Sequence, residues 1–179
     1  MEERIFGKPL ITQQGLSRRI RELGAQISED YRGKEILLVG LLKGAYVFFA
    51  DLARSIQVPV RVDFMIVSSY GPRSKTSGEV KIVSDLTMDI RGKDVLLVED
   101  IVDSGLTLKV LLKRLQEKKP RSIRVCALLD KAERRKHEAA IDYVGFTIPN
   151  RYVVGYGLDY QDHYRNLPYV AVLDVAEEV

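Results

Sequence analysis

The chain carries VLLVEDIVDSGLT at residues 95–107. With the preceding Asp94, the residues DVLLVED predict a strand over residues 94–100. Its run of consecutive apolar residues is typical of strands that are buried on both faces. A helical pattern follows directly at Leu108, Leu111, Leu112 and Leu115. The stretch therefore predicts a strand–turn–helix unit, and ligands of open α/β sheets bind where such strands end.

Three carboxylates, two hydroxyls and a glycine lie in the turn of this unit: Glu99, Asp100, Asp103, Ser104, Thr107 and Gly105. Backbone N–H groups at a helix N-terminus bind phosphate, and carboxylates accept sugar hydroxyls or hold a hard cation, so a sugar phosphate suits the turn. Because successive strand side chains point to opposite faces, we expect Glu99 and Asp100 to do different jobs. The structural alternative is a solvated strand end followed by Asp103 as a helix N-cap.

The composition is that of an ordinary globular domain. Of 179 residues, 46% are hydrophobic and 30% charged, which excludes disordered, collagenous and disulfide-rich chains and predicts a single domain. The apolar run Ile36–Leu42 is too short to cross a bilayer, so we expect no membrane partner. The N-terminus lacks an apolar leader and Cys126 is the single cysteine, which favours a cytoplasmic location. A net charge of +3 is too small to predict nucleic acid.

The segments before this unit predict two helices and two strands. Their bounds are a helix over 12–31, a strand over 35–42, a helix over 45–56 and a half-buried strand over 60–66. Residues 68–79 combine Gly, Pro, Ser and Lys without apolar periodicity, which predicts a flexible loop. Such a loop is either a binding lid or a disordered hairpin tip.

Further strands follow, at 80–83, 122–129, 143–148 and 169–175, and a short charged segment occupies residues 131–139. Strands that alternate with helices predict the α/β class, with a mostly parallel central sheet, flanking helices and right-handed crossovers.

The stretch VLLVEDIVDSGLT resembles the phosphoribosyl pyrophosphate (PRPP) signature of type I phosphoribosyltransferases. Segments Leu42–Gly44, Ser69–Tyr70, Leu128–Lys131 and IPNRYVVGYGLDYQDHYRN extend the resemblance to the hypoxanthine-guanine phosphoribosyltransferases of the bacterial kind. It implies the fold of that family over residues 1–179, with a core at about 12–148, a small hood from the N-terminal residues and about 149–179, and the flexible loop at about 68–79.

By resemblance, the turn binds the ribose and 5′-phosphate of PRPP through Glu99, Asp100, Asp103, Ser104, Gly105, Leu106 and Thr107. Asp103 would be the proton acceptor. Human-type members of the family commonly have a basic residue where this chain has Leu106, so here the phosphate would depend more on backbone amides and hydroxyls. The metal would be Mg²⁺, served by Glu99, Asp100 and Asp159.

The resemblance assigns pyrophosphate to Lys43, Gly44 and Arg165, after a Leu42–Lys43 peptide that is often cis in the family, with Ala45 where a second glycine is common. Ser69 and Tyr70 would head the lid. Purine binding falls to Lys131, Tyr152, Val153 and Asp159: Lys131 would donate to the oxygen at purine C6, and Tyr152 would stack on the base.

The implied activity is purine salvage, in which hypoxanthine or guanine and PRPP give IMP or GMP and pyrophosphate. A homodimer or homotetramer is implied, with no nucleic-acid or membrane partner. Two alternatives stay open: a xanthine-preferring phosphoribosyltransferase, since few side chains decide between purines, and an RNA-binding regulator on the same scaffold.

Overall fold

The structure, a computed structural model, describes residues 8–69 and 80–173. Its strands are β1 (Ile36–Leu42), β2 (Val60–Ser69), β3 (Val80–Ser84), β4 (Asp94–Val102), β5 (Ser122–Asp130) and β6 (Tyr143–Thr147). Its helices are α1 (Gln13–Asp30), α2 (Tyr46–Ser55) and α3 (Leu106–Glu117). Within the described residues these strands form a six-stranded sheet in the order β3-β2-β1-β4-β5-β6. The predicted α/β class with a central sheet and flanking helices is confirmed.

The sheet is parallel except at one edge. β1 pairs in parallel with β2 and β4, and β5 pairs in parallel with β4 and β6, whereas β3 runs antiparallel to β2. After β1 the chain moves towards one edge of the sheet, and after β4 it moves towards the other. Their carboxyl ends therefore flank a topological switch point, which is where open α/β sheets bind ligands.

Helices cover both faces of the sheet, and this explains the unbroken apolar runs of the central strands. Leu38 and Leu96 pack on one face against α1 and α2, and Leu37 and Leu97 pack on the other face against α3. All four side chains are buried. Full burial of one such side chain contributes about 1.5–3 kcal/mol, so the core holds the strand ends in fixed positions.

The structure corrects the predicted end of β2 and the alternative start of α3. Ser68 and Ser69 belong to β2 and not to a loop, because their backbones pair with Lys81 and Val80 of β3. The N-cap of α3 is Gly105, with φ +83°, so the alternative that makes Asp103 the cap is wrong as well. The rest of the predicted loop, residues 70–79, lies outside the described residues.

A second, two-stranded antiparallel sheet pairs β7 (Val153–Val154) with β8 (Ala171–Val172). It shortens the predicted last strand, of which residues 174 and 175 lie outside the described residues, and the pattern did not predict β7 as a strand. Ile11 bridges to Val170, which ties the start of the described chain to this sheet. The division into core and hood stays a prediction. In the part of the chain described here, no helix is long and apolar enough to span a membrane.

Candidate active site

Three adjoining cavities open at the carboxyl ends of β1, β4 and β5. The cation cavity, about 340 Å³, is lined by Lys43, Gly44 and Arg165 among others. The lysine cavity, about 250 Å³, contains Lys131 and Tyr152. The turn cavity, about 110 Å³, follows residues 101–108 and Glu99. Shared lining residues join the three cavities: Glu99, Asp100, Ile101, Asp103, Thr107 and Asp159.

The turn cavity surrounds the start of α3. A Cβ atom on Gly105 would lie 2.8 Å from the His137 carbonyl oxygen and 3.0 Å from Arg135 Cδ, so only glycine fits there. The N–H groups of Lys136 and His137 each donate to the Ser104 carbonyl at 3.0 Å. The charged segment 131–139 therefore supports the turn from behind, a role that its composition did not predict.

The N-terminus of α3 faces the same cavity. The first helical residue, Leu106, donates its N–H to Ser104 Oγ at 3.4 Å, and Thr107 lines both the turn cavity and the cation cavity. The first N–H groups of a helix have no partner within the helix and carry a partial positive charge. Ser104, Gly105, Leu106 and Thr107 together can therefore hold a phosphate without a basic side chain at position 106.

The acids at the end of β4 form a pair. Although neighbouring strand side chains alternate between faces, the Glu99 and Asp100 carboxyl groups interact with each other and both line the cation cavity. Burial raises the pKa of Glu99 well above its usual range, and the Asp100 charge adds to the rise. Burial also raises the pKa of Asp100, against opposing hydrogen bonds from Glu99 and the Ile101 N–H. Two half-buried carboxyl groups that interact with each other favour a shared proton or a cation.

The loop after β1 packs directly on this pair. A Cβ atom on Gly44 would lie 1.8 Å from Asp100 Oδ2, so the close approach requires glycine. The Leu42–Lys43 peptide is cis, as the resemblance implies. Ala45 has ordinary right-handed backbone, with φ −75°, and its buried methyl group is accommodated at the N-terminus of α2. The departure at position 45 therefore leaves this loop undisturbed.

The two predicted pyrophosphate cations meet at one acid. Asp162 Oδ1 lies 3.3 Å from Lys43 Nζ and 3.2 Å from Arg165 Nη2. Arg165 Nη2 also lies 2.8 Å from Asp159 Oδ1, and its Nη1 donates to the Gly157 carbonyl at 2.8 Å. The pattern did not predict a role for Asp162, although it lies between Asp159 and Arg165 in the segment that carries the resemblance.

The lysine cavity contains a buried cation beside a carboxylate. Lys131 is 7% exposed, and its Nζ lies 3.9 Å from Asp103 Oδ2. Burial lowers the pKa of Lys131, and the Asp103 charge acts in the opposite direction. Tyr152 is 49% exposed at the cavity, and its hydroxyl donates to the Asp159 carbonyl at 3.3 Å. Val153 of β7 completes the wall.

Sequence reasoning missed a second partner of Asp103. Arg134, which lies in the 3₁₀ turn Ala132–Arg134, places its Nε 2.9 Å from Asp103 Oδ1. Side chains at i and i+3 share one face of a 3₁₀ turn, so the spacing of Arg134 from Lys131 was the available signal. Asp103 is therefore held between two cations.

The predicted metal ligands fit Mg²⁺ only in part. Glu99 and Asp100 adjoin, whereas the Asp159 carboxylate contacts Arg165 and accepts the Asp162 N–H at 2.8 Å. Across residues 8–69 and 80–173, no three His, Cys, Asp or Glu side chains could hold a metal by themselves. Mg²⁺ is usually bound by one or two carboxylates together with substrate phosphates, and the Glu99–Asp100 pair fits that arrangement.

The predicted lid stays a prediction. Tyr70 lies outside the described residues, and Ser69 is described only as backbone of β2.

A larger cavity of about 500 Å³ lies between α1 and α2, where Arg21, Asp51 and Arg54 line it. Among the predicted site residues that the structure describes, only Arg165 reaches that cavity, so its size does not indicate the chemistry.

Comparisons with known proteins agree with the geometry. Residues 10–161 match the phosphoribosyl transferase domain family. The chain is 52% identical to the hypoxanthine-guanine phosphoribosyltransferase of Mycobacterium avium, over 92% of this chain and 84% of that protein. It is 50% identical to the hypoxanthine phosphoribosyltransferase of Salmonella typhimurium, over 94% and 96%. The crystal structure of a hypoxanthine phosphoribosyltransferase from Staphylococcus aureus matches with a TM-score of 0.90 at 45% identity, over 94% of this chain and 91% of that one.

Proposed function

The chain belongs to the phosphoribosyltransferase family, among its hypoxanthine-guanine members, and we propose from that premise that it transfers the 5-phosphoribosyl group of PRPP to N9 of hypoxanthine or guanine. It is a transferase of purine salvage, as its relatives are. The products of the proposed reaction are IMP or GMP and pyrophosphate, and Mg²⁺ is the proposed cofactor.

The buried Lys131 beside Asp103 is the observation that carries this proposal. An ammonium group has only donors, so it suits the oxygen at C6 of a 6-oxopurine and offers nothing to the amino group of adenine. Tyr152 lies at the same cavity, where its ring can stack on a purine. Stacking of an aromatic side chain on a base contributes about 1–3 kcal/mol.

The other two cavities suit the two ends of PRPP. The backbone amides at the start of α3 and the hydroxyls of Ser104 and Thr107 would hold the 5′-phosphate in the turn cavity. Lys43 and Arg165 would hold the pyrophosphate in the cation cavity. An arginine fork matches the geometry of phosphate oxygens, and both cations neutralise charge on the leaving group.

The transfer replaces one bond at C1′ of the ribose with another and moves one proton. The lone pair of purine N9 forms the bond to C1′ of the ribose as the bond from C1′ to the pyrophosphate oxygen breaks. The N7 proton of the base passes to Asp103, whose carboxylate is the proton acceptor. Such base catalysis is worth about 10²- to 10⁴-fold in rate.

The chemistry of the donor set supports Mg²⁺ as the cofactor. Glu99 and Asp100 would hold it together with oxygens of the substrate, and Asp159, which lines the same cavity, would serve the metal side. When bound, Mg²⁺ supplies positive charge that stabilises the leaving pyrophosphate.

We also propose a homodimer or homotetramer, as the resemblance implies, located in the cytoplasm and without nucleic-acid or membrane partners, as the composition and charge of the chain favour. Size-exclusion chromatography with light scattering measures the assembly directly. A mass of one chain in solution would contradict this part of the proposal.

A spectrophotometric panel of adenine, hypoxanthine, guanine and xanthine with PRPP and Mg²⁺ tests the activity. We expect turnover of hypoxanthine or guanine and none of adenine. Lys131→Gln should lower kcat/KM for the 6-oxopurine by about 10- to 100-fold, since a hydrogen bond from a charged group is worth about 1.5–3 kcal/mol. Preference for xanthine would support the xanthine-preferring alternative, and activity on adenine alone would refute the role of Lys131. Tight RNA binding without IMP formation would support the regulator instead.

A further inference from the structure

Asp162 occupies the space between the two cations assigned to pyrophosphate. A single oxygen, Oδ1, lies 3.3 Å from Lys43 Nζ and 3.2 Å from Arg165 Nη2. An anionic oxygen between an ammonium and a guanidinium is the arrangement that a bound phosphate oxygen would make. The carboxylate therefore competes for the same donors as a pyrophosphate ligand.

The backbone at Asp162 directs the carboxylate towards the cations from a short, specific turn. Its N–H donates to Asp159 Oδ2 at 2.8 Å, and its φ is +60°. Asp and Asn tolerate this left-handed conformation better than most residues do. The adjacent cations, Arg165 first and Lys43 second, lower the pKa of Asp162, in keeping with an ionised carboxylate in contact with both.

The contacts of Lys43 and Arg165 differ in how easily a bound anion can replace them. The side chains of Lys43 and Asp162 are each 71% exposed, whereas that of Arg165 is 20% exposed and has further contacts with Gly157 and Asp159. Ion pairs between exposed side chains are weak, so a more highly charged anion can displace the carboxylate while Arg165 stays in place.

We propose that Asp162 is a positioning residue that keeps Lys43 and Arg165 together when pyrophosphate is absent and competes with pyrophosphate for them when it is present. This inference rests on the proposed function, because it assigns pyrophosphate to the cation cavity. Asp162 prevents two neighbouring cations from repelling each other in the free enzyme, and it weakens the hold on the product and so favours its release.

The test is binding of Mg²⁺-pyrophosphate to the whole enzyme, measured by isothermal titration calorimetry for wild type and Asp162→Asn. Asparagine keeps the left-handed backbone and the N–H bond to Asp159 but removes the charge. We expect the variant to bind pyrophosphate about three- to tenfold more tightly, the size expected when one or two exposed ion pairs no longer compete. The inhibition constant of product pyrophosphate should fall in parallel, with KM for hypoxanthine unchanged.

Two further variants make the result specific. Glu133→Gln removes the same charge from an exposed residue of the nearby 3₁₀ turn, and its pyrophosphate affinity should match that of wild type. In a Lys43→Met background, Asp162→Asn should gain less than about twofold, since one competing contact is already absent. A full gain in that background would show that the effect does not act through Lys43 and would overturn the inference.

Unchanged or weaker pyrophosphate binding by Asp162→Asn, in a variant with wild-type circular dichroism and melting temperature, would also overturn the inference. This failure is distinguishable from failure of the proposed function. If wild type forms IMP from hypoxanthine and PRPP but Asp162→Asn does not tighten pyrophosphate binding, only the role of Asp162 is wrong. If wild type forms no nucleotide from any purine, the proposed function itself is wrong.

Discussion

The two ends of β4 carry carboxylates in opposite environments. At the amino end, Asp94 accepts bonds from Arg121 Nε at 2.9 Å and Ser122 Oγ at 2.6 Å, and these partners lower its pKa. At the carboxyl end, Glu99 and Asp100 contact each other, and burial raises the pKa of both. At the amino end the carboxylate has stabilising partners, whereas at the carboxyl end two acidic groups lie unfavourably close to each other.

The two ends of this nine-residue strand therefore have different roles: the amino end stabilises the fold, and the carboxyl end serves the site. A satisfied carboxylate stabilises the folded state, whereas adjacent buried carboxyl groups cost stability until a cation or a proton reaches them. Neighbouring groups with perturbed pKa values of this kind are common at functional sites. Changes at the carboxyl end should therefore alter activity, and changes at the amino end should alter stability.

The largest expected effect is that of Asp103→Asn, one residue beyond the carboxyl end of β4. Asparagine keeps the size of the side chain but cannot accept the purine proton, so kcat should fall about 10²- to 10⁴-fold. Steady-state kinetics measures the loss, and calorimetry should show unchanged IMP affinity within a fewfold. Wild-type turnover with phosphate binding intact would disprove the base role and remove the main functional element from this end of the strand.

The second-largest loss of activity is expected for Gly44→Ala. The new Cβ would meet Asp100 Oδ2 at 1.8 Å and force the loop after β1 away from β4. A displacement of about 1 Å at a reacting centre can cost about 100-fold, and we expect a loss of that order in kcat/KM.

Gly33→Ala is the matched control, because a Cβ there has no neighbour within 4 Å. Its left-handed backbone makes the change cost about 1 kcal/mol in unfolding free energy, but kcat/KM should stay at the wild-type value. Equal activity of the two alanine variants would show that the contact between Gly44 and Asp100 does not matter.

At the amino end of β4, Asp94→Asn should lower the unfolding free energy by about 1–3 kcal/mol, the usual loss for hydrogen bonds to a charged group, and leave kcat unchanged. Because the pKa of Asp94 is lowered in the folded state, its contribution is present above the unfolded-state pKa and is lost as pH falls through the folded-state pKa. Urea denaturation of both proteins at neutral and strongly acidic pH measures this. A stability difference that persists at strongly acidic pH would contradict the electrostatic account of this end.

The smallest effect, with the opposite sign, is expected for Glu99→Gln. Because the pKa of Glu99 is raised in the folded state, this group destabilises the fold increasingly as pH rises above the unfolded-state pKa, and the effect is complete above the folded-state pKa. The variant should therefore be more stable than wild type by about 1 kcal/mol at neutral pH without Mg²⁺, as is common where function costs stability.

As pH falls through the raised pKa, wild type takes up the proton and regains stability, so the difference from Glu99→Gln should shrink. Thermal unfolding across that range is the measurement. If Glu99→Gln is less stable than wild type at neutral pH, Glu99 stabilises the fold. The two ends of β4 would then not differ in the way described above.

Much of the fold was predictable because parallel strands are buried on both faces. β1 and the helical spacing of α1 and α3 follow from unbroken or periodic apolar residues. Asp103 was found because it lies in the turn that follows a predicted strand, whereas the role of Lys131 came from the family resemblance. What the pattern could not show was β7, whose two residues are too few for any periodicity.

The partners of the site residues were not predictable in the same way. Arg134 contacts Asp103 from another element, and Asp162 contacts Lys43 across 119 positions of the chain. The Asp103 N-cap alternative failed because the start of α3 depends on the left-handed backbone of Gly105, with the segment 131–139 packed behind it. The spacing of Arg134 from Lys131 is the one signal that the sequence offers for these contacts, and it does not identify Asp103 as the partner.

The sequence by itself determined the main helices, the central strands and the residue types available near the strand ends, because the spacing of apolar and polar residues reports which faces of a helix or strand are buried. Only the tertiary structure decided which charges meet: Glu99 with Asp100, Asp103 with Lys131 and Arg134, and Asp162 with Lys43 and Arg165. The physical reason is that burial is encoded locally, whereas the electrostatics of a site depends on distances between segments that only the packed chain brings together.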